Sequence, residues 1–208
     1  MKELNTSIPT LLRLQALAQT ALAYDVSPYE RRRCEEILEI SAKLLSSLSG
    51  EPTAQIVARL EAEKGYATPK VGVRVAVTRG DSILFVREAT DGKWCLPGGW
   101  ADVGLPPSQA AQREVSEETG LAIKNLRLCA VFDSLCHSHD PVCPFQVYTL
   151  FFLAERAGGD LTPSKETTDL AFFNKSEIPE LSTGRVTREQ VLHMWHHIEQ
   201  PGLPPYFD

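Results

Sequence analysis

The stretch "GGWADVGLPPSQAAQREVSEETG" runs from Gly98 to Gly120 and concentrates acidic side chains near its end. Glu114, Glu117 and Glu118 stand at i, i+3 and i+4, around Arg113, so a helix brings the three carboxylates together. Like charges at that spacing destabilise a helix by roughly 0.2–0.5 kcal/mol per pair. A cation held between the carboxylates would remove the conflict. On spacing alone, a solvated acidic helix face is an equal alternative.

The residues around the acidic cluster predict a helix with defined ends. Pro107 suits the first helical position, and the helical window runs over residues 108–119. Gly120 suits a left-handed helix terminator. The apolar side is formed by Ala110, Ala111, Val115 and Leu121. We therefore expect an amphipathic helix with an acidic outer face.

The chemistry of the cluster indicates a hard divalent cation. Oxygen-only, carboxylate-rich ligation suits Mg²⁺ or Mn²⁺, which keep waters and bind substrate phosphates. Gly98 and Gly99 precede the helix and permit a close backbone approach to metal or phosphate. The combination suggests metal-assisted attack of water on a phosphate or pyrophosphate.

Gly99, followed by "REVSEETGL" from Arg113 to Leu121, resembles the Nudix box of the Nudix hydrolases. That pattern reads Gly, five residues, Glu, seven residues, Arg-Glu-apolar-x-Glu-Glu-x-Gly-apolar. The segments "PKVGVRVAV", "DGKWCLPGGWADVG" and "LPPYFD" look like one branch of the family, which carries a helical N-terminal domain. Its members include enzymes named as ADP-ribose pyrophosphatases and CDP-choline pyrophosphatases.

The resemblance implies both a fold and a reaction. The fold is α+β: an α/β/α sandwich with a mixed sheet, preceded by a small all-helical N-terminal domain. The reaction is hydrolysis of a nucleoside diphosphate linked to another moiety into two monophosphates, with Mg²⁺ or Mn²⁺. The resemblance does not choose among ADP-ribose, CDP-choline, UDP-sugars and related substrates.

The resemblance also implies roles for individual residues. Glu114, Glu117 and Glu118 match the metal-binding positions, and the carbonyl of Gly99 is a further candidate ligand. Arg113 matches the arginine that orients the glutamates.

The catalytic proton acceptor is left open between the helix and a later loop. Glu117 and Glu118 are two candidates for this general base. Many relatives place another acid on a later loop, where this chain offers Glu166, with Asp169 as the second choice and a surface glutamate as the alternative.

Leu105 is the one departure from the box, since it stands where the pattern has its first glutamate. A leucine neither ligates metal nor holds Arg113 through a charge-assisted hydrogen bond. We expect Arg113 to pair with another acid, for which Asp102 is the nearest in sequence. The departure also keeps open a second function class, a non-catalytic nucleotide-binding sensor on the same fold.

Substrate contacts are indicated more weakly. Gly98, Trp100 and His139 are the candidate substrate-binding residues, with core packing as the alternative for the tryptophan. The segment "CHSHDPVC" invites a zinc interpretation, but its spacing matches no common zinc module. We expect it to connect two strands over the site. The three histidines of "VLHMWHHIEQ" are expected to be solvated side chains of a helix.

Two domains are predicted, residues 1–66 and residues 67–208. The first contains three amphipathic helices, of which the second starts near Pro28 and stops at Gly50, and the third ends at Gly65. The second begins with alternating strand residues and a hairpin turn at "TRGDS". Later strands are expected at "LRLCAVFDS", "QVYTLFFLAE" and "LAFFN", and a further helix over residues 187–198. Because three short helices bury little surface alone, they must pack on the rest of the chain or on a second copy of it. The helical domain therefore serves dimerisation or covers the substrate, and we expect a homodimer.

The composition of the chain limits which classes of partner it can bind. The chain has 208 residues, a net charge of −6 and five scattered cysteines without a C-x-x-C pair. Its acidic balance argues against a nucleic-acid partner, because such partners bind a basic face. No apolar run approaches the ~20 residues that span a bilayer. We expect a cytoplasmic enzyme with a small-molecule substrate.

Overall fold

A computed structural model describes residues 2–141 and 143–208, with residues 2–6 described by their backbone alone. The chain divides into two compact units, Met1–Pro69 and Lys70–Asp208.

The first unit is helical. Its helices are α1 (Lys2–Leu22), α2 (Pro28–Ser49) and α3 (Thr53–Ala62). Ser27 caps α2 through a reciprocal capping box with Glu30, and Gly50 ends it in a left-handed conformation. A small core of Ile8, Ala42, Leu45 and Ile56 joins the three helices. The starts and stops of α2 are as predicted, whereas α3 ends at Ala62 instead of Gly65.

The second unit is built on one mixed seven-stranded sheet. Its strand order is β3-β2-β1-β5-β4-β7, and β6 pairs with β2 outside that path. Strand β1 pairs in parallel with β5, and β4 with β7, while the remaining pairings are antiparallel. The elements are β1 (Lys70–Arg79), β2 (Ser82–Glu88), β3 (Trp94–Cys95), α4 (Pro107–Thr119), β4 (Ala122–Asp133), β5 (Val147–Gly158), β6 (Thr167–Phe173), a 3₁₀ turn (Lys175–Glu177), α5 (Arg188–Glu199) and β7 (Tyr206–Phe207).

The sheet carries one helix on each face, because successive strand residues point to opposite sides. On one face, Val73, Val75 and Val77 of β1 pack with α4. On the other face, Ala76 and the residues around Trp195 of α5 form a second core. This is the expected α/β/α sandwich, and the predicted β1–β2 hairpin is confirmed.

The expectation that the histidines of α5 are solvated is wrong for His197, which is buried. His197 contacts Nε2 of His193 at 3.2 Å, and Arg127 donates to its carbonyl at 3.1 Å. His196 is exposed as expected. Burial lowers the pKa of both His193 and His197, so this pair is a neutral part of the packing between α5 and β4.

Candidate active site

Helix α4 places the acidic cluster at the edge of the sandwich. It starts at Pro107 and ends at Gly120, which adopts the left-handed conformation and donates to the carbonyl of Ser116. Its buried residues Ala110, Ala111 and Val115 pack on the sheet. The helix is thereby anchored by its apolar side, and its glutamates point toward a cleft.

Glu118 is the most deeply buried of the three glutamates, with 8% of its surface exposed. It accepts a hydrogen bond from the backbone N–H of Gly98 at 2.9 Å. Burial raises the pKa of Glu118 to about 7, against the opposing effects of Arg74 and of that N–H group. The site therefore holds a carboxylate whose charge its surroundings do not fully compensate.

Glu114 lies directly against the two-glycine loop. A Cβ atom on Gly99 would come within 2.8 Å of Oε2 of Glu114, so a side chain there would displace the carboxylate. Gly98 has a φ of 140°, and a Cβ on it would lie 2.1 Å from the carbonyl oxygen of Val73. Only glycines allow this approach. Burial is also the main reason why the pKa of Glu114 is raised, and the charge of Glu117 adds to it.

Glu117 is held by Arg113. The arginine donates through Nε to Oε1 of Glu117 at 2.7 Å and through Nη1 to Oδ2 of Asp102 at 2.8 Å. The hydrogen bond from Arg113 to Glu117 is the largest cause of the raised pKa of the arginine. All three side chains are about half exposed. The expected pairing of Arg113 with Asp102 is confirmed.

Arg74 is an internal cation that the sequence analysis missed. It stands on β1, and its Nη1 donates to the carbonyls of Leu96 at 3.1 Å and of Gly98. Burial raises the pKa of both Glu114 and Glu118, and the charge of Arg74 opposes that rise. In the pattern "VGVRVAV" a polar residue between valines reads as the solvated side of a strand, so no local signal identified it.

A second missed group joins Glu88, Cys95 and Arg185. Glu88 is 6% exposed; it accepts from Sγ of Cys95 at 2.9 Å, and its Oε1 lies 3.1 Å from Nε of Arg185. Burial raises the pKa of the Cys95 thiol far above its ordinary value. The cysteine is therefore a neutral donor to Glu88.

The three glutamates, Arg74, Glu88 and Arg185 line one cleft of about 520 Å³. The candidate residues that it brings together are Gly98, Gly99, Trp100, Glu114, Glu117, Glu118, His139 and Glu166. Arg113 is not part of the described lining, but it pairs with Asp102 and Glu117, both of which face the cleft. Asp169 stands on β6 opposite Arg87 and, within the described chain, is not part of the lining.

The segment between β4 and β5 covers one side of the cleft. Nδ1 of His139 lies 2.9 Å from the carbonyl of Thr183, so this nitrogen carries the proton and donates. Burial lowers the pKa of His139, which keeps the ring neutral at pH 7. His137 instead contacts the carboxylate of Asp208 at 3.0 Å, so the two histidines of "CHSHDPVC" serve different partners. Trp100 is 51% exposed, with its ring 6.2 Å from that of Phe145.

The donor set fits a divalent metal ion by its chemistry. Three carboxylates and nearby backbone carbonyls supply oxygen ligands. Burial raises the pKa of Glu114 and Glu118, and a bound cation would favour their ionised forms. Within the described residues, no three His, Cys, Asp or Glu side chains converge to hold an ion as they stand.

Comparison with known proteins decides the family. The model of the NUDIX domain matches residues 68–195, more than half of the chain. The chain belongs to the Nudix family. A second model, described as "UDP-X-like, N-terminal oligomerisation domain", matches residues 8–59 of this Nudix protein.

Its relatives cover both units. A Bacillus subtilis (strain 168) protein named "Putative ADP-ribose pyrophosphatase YjhB" is 37% identical over 94% of both chains. The crystal structure of a UDP-X diphosphatase is 30% identical, covers 97% of both chains and gives a TM-score of 0.63. The next structure gives a TM-score of 0.61. That next structure, an ADP-ribose pyrophosphatase from Streptococcus suis, is 33% identical and covers 68% of this chain and 100% of its own.

The comparisons confirm the expected family, the α+β fold with a helical N-terminal region, and the assignment as a pyrophosphohydrolase of nucleoside diphosphate derivatives. Among the described residues, no helix is long and apolar enough to cross a membrane.

Proposed function

We propose that the cleft hydrolyses nucleoside diphosphates linked to another moiety, such as ADP-ribose, CDP-choline or a UDP-sugar, to two monophosphates. One observation carries the proposal: three helix carboxylates, two of them partly or fully buried, face a glycine loop in a single cleft. The names of the two relatives with matching length, an ADP-ribose pyrophosphatase and a UDP-X diphosphatase, support this substrate class.

Mg²⁺ or Mn²⁺ is the proposed cofactor. Glu114, Glu117 and Glu118 would hold it, with the carbonyl of Gly99 as a further ligand. That carbonyl already accepts from the N–H of Val73 at 2.9 Å and retains a second lone pair. When bound, the ion neutralises the charge of the diphosphate and makes its phosphorus more open to attack.

Proton transfer from the attacking water needs a carboxylate near the reacting atoms. In the metal-free cleft, the raised pKa of Glu118 suits a general base. A carboxylate that binds the metal must stay ionised, however, and is then not free to accept a proton from water. Glu117 is engaged with Arg113. We therefore favour Glu166, which lines the cleft from the loop before β6 and is exposed.

Gly98, Trp100 and His139 are the proposed substrate contacts. Trp100 offers an exposed aromatic face at the cleft for a nucleobase. His139 donates Nδ1–H to Thr183, so its Nε2 is left as an acceptor. A neutral imidazole suits contact with a hydroxyl or an amino group of the substrate.

The helical unit is the proposed site of homodimerisation. Its helices expose several large apolar side chains, and its family model is described as an oligomerisation domain. The exposed residues include Leu14, Leu17, Tyr24, Tyr29, Ile40 and Leu44. Since nucleoside diphosphate derivatives are made and used inside cells, we also propose that the enzyme works in the cytoplasm.

A substrate screen tests the proposal. Nucleoside diphosphate derivatives are incubated with the protein and Mg²⁺ or Mn²⁺, a phosphatase is added, and released phosphate is measured. Hydrolysis of at least one derivative to two monophosphates is expected. Binding without turnover of any derivative would instead favour a non-catalytic nucleotide sensor. That alternative arises because Leu105 replaces the first glutamate of the box.

A further inference from the structure

The cleft is strongly acidic for a site that receives a diphosphate. Among the described residues, its lining contains six carboxyl side chains and two arginines, Arg74 and Arg185. The carboxyl groups belong to Glu88, Asp102, Glu114, Glu117, Glu118 and Glu166. A doubly or triply charged substrate needs cationic contacts here in addition to any metal ion.

Arg74 is already committed to the protein. Its Nη1 donates to two carbonyls of the loop that leads to Gly99, and its charge faces Glu114 and Glu118. Moving it toward a substrate would release that loop. Arg113 is likewise paired with two carboxylates and is not part of the described lining.

Arg185 is placed differently. Nε of the guanidinium lies 3.1 Å from Oε1 of Glu88, whose side chain is 7% exposed, while the side chain of Arg185 is 35% exposed. No ion pair with a second carboxylate is present among the described residues. Within the part of the chain that the structure describes, no hydrogen bond from Nη1 or Nη2 of Arg185 is present, so these groups can still donate to a ligand.

The loop that carries Arg185 is fixed on the side of β3. Ser182 donates its N–H to the carbonyl of Trp94 at 2.8 Å and its hydroxyl to Asp91 at 2.7 Å. The N–H of Trp94 donates back to the carbonyl of Glu180 at 3.0 Å. These bonds hold the loop against the hairpin end that contains Glu88 and Cys95.

The same loop is fixed from the other side by the segment that contains His139. His139 donates to the carbonyl of Thr183, whose hydroxyl donates to the carbonyl of Asp140 at 2.7 Å. Arg185 therefore stands on a segment braced by two separate elements. Such bracing reduces the entropy cost of binding a ligand.

We propose that Arg185, held through Nε by Glu88, binds the non-bridging oxygens of the substrate diphosphate. Its planar guanidinium matches the geometry of phosphate oxygens and supplies charge-assisted hydrogen bonds. Arg185 is then a substrate-binding residue, and Glu88 is a positioning residue that acts through it. The inference rests on the proposed function, since it names how that cleft receives its diphosphate.

A structural role for Arg185 makes a different prediction. If Arg185 only neutralises Glu88, its loss leaves a buried carboxylate without a partner and destabilises the fold. The matched pair Glu88→Gln and Glu88→Gln/Arg185→Gln avoids this problem, because neither protein contains that carboxylate. The amide oxygen introduced at position 88 can still accept from Nε of Arg185 and hold it in place, so the two proteins differ only in the guanidinium.

The probe is methylenediphosphonate, a diphosphate whose bridge is not hydrolysed, titrated calorimetrically in the presence of Mg²⁺. We expect Glu88→Gln/Arg185→Gln to bind it on the order of ten-fold or more weakly than Glu88→Gln, as loss of a charge-assisted contact does. Arg185→Lys, which keeps the charge and loses the planar fork, should fall between wild type and the loss variant. Arg156→Gln, an exposed arginine of β5 outside the cleft lining, should bind as wild type does.

Equal affinity of Glu88→Gln and Glu88→Gln/Arg185→Gln would overturn the inference. So would an equal loss in Arg156→Gln, which would indicate a general charge effect, or no binding by the wild-type protein. The proposed function fails separately, when the wild-type enzyme hydrolyses no nucleoside diphosphate derivative in the screen. A wild type that hydrolyses substrate while the matched pair binds the probe equally would remove the role of Arg185 and leave the function intact.

Discussion

Arg113 donates a hydrogen bond through Nη1 to Oδ2 of Asp102 at 2.8 Å. Asp102 thus supplies the carboxylate that the Nudix box ordinarily has at the position of Leu105. Leu105 itself packs against the apolar cluster between α4 and the sheet. The substitution exchanges a charged contact for an apolar one and moves the partner of Arg113 by three positions in the chain.

Removing that carboxylate should weaken metal binding. In Asp102→Asn, Arg113 keeps Glu117 as its one charged partner and holds it more firmly, so Glu117 is less available to the ion. We expect the Mg²⁺ concentration for half-maximal activity to rise by ~10-fold, within the range for residues that orient ligands. Asp169→Asn, on β6 outside the cleft lining, is the control and should leave the Mg²⁺ titration unchanged.

Loss of one metal-binding carboxylate should damage turnover more than folding. Glu117→Gln keeps the shape of the side chain and is expected to lower kcat by on the order of 10²-fold or more. Excess chelator should abolish activity in the wild type. Glu155→Gln removes an exposed glutamate that pairs with Lys124 and should keep full kcat. Wild-type kcat in a folded Glu117→Gln protein would move the site elsewhere.

Stability should depend on pH and Mg²⁺ together. Burial raises the pKa of Glu118 to about 7 and also raises that of Glu114, so the folded state holds more protons than the unfolded state between about pH 4.5 and 7. Without metal, these groups therefore reduce stability as pH rises through that window. Mg²⁺ binds the ionised form, so it should raise Tm more at pH 8 than at pH 5.5.

Thermal unfolding with and without Mg²⁺ across that range measures the effect. Glu118→Gln removes the titrating group and should flatten the pH dependence of the Mg²⁺-induced change in Tm. The same Mg²⁺-induced change at pH 5.5 and pH 8 in the wild type would show that the ion does not bind these carboxylates.

The sequence predicted those parts of the site that depend on residues close together in the chain. The acidic face of α4, its left-handed end at Gly120 and the glycine loop all follow from short spacings in one segment. The β1–β2 hairpin follows from strand alternation and its turn. The parallel pairing of β1 with β5 joins segments about 75 residues apart, and no local pattern specifies it.

The residues that were missed owe their roles to tertiary neighbours. The strand pattern predicts solvent-facing positions for Arg74 and Glu88. In the structure, Arg74 donates to loop carbonyls, and Glu88 is buried beside Cys95. Arg185 depends on a loop that the structure brings to Glu88 from 97 positions away in the sequence. His197 is buried because Arg127 and His193 satisfy it.

Charge on the exposed apolar face of the helical unit should break the homodimer. Leu17 of α1 and Leu44 of α2 are each about half exposed, in the region that matches a family model described as an oligomerisation domain. We expect Leu17→Glu or Leu44→Glu to convert the protein to a monomer in light scattering, with Leu161→Glu, in the other unit, as the control. A monomeric wild type would refute the dimer itself.

Restoring the acid of the Nudix box tests the account of Leu105. Leu105→Glu places a carboxylate where it competes with Asp102 for Arg113 and should free Glu117 for the ion. We expect the Mg²⁺ titration to shift to lower concentration and kcat/KM to rise by roughly ten-fold. Leu105→Gln, similar in size but uncharged, should give neither effect. Leu105→Glu should also recover Mg²⁺ affinity in the Asp102→Asn background, because either acid then holds Arg113. Superimposable titrations of wild type and Leu105→Glu would mean that Leu105 is a neutral variation and that Asp102 already replaces the missing glutamate in full.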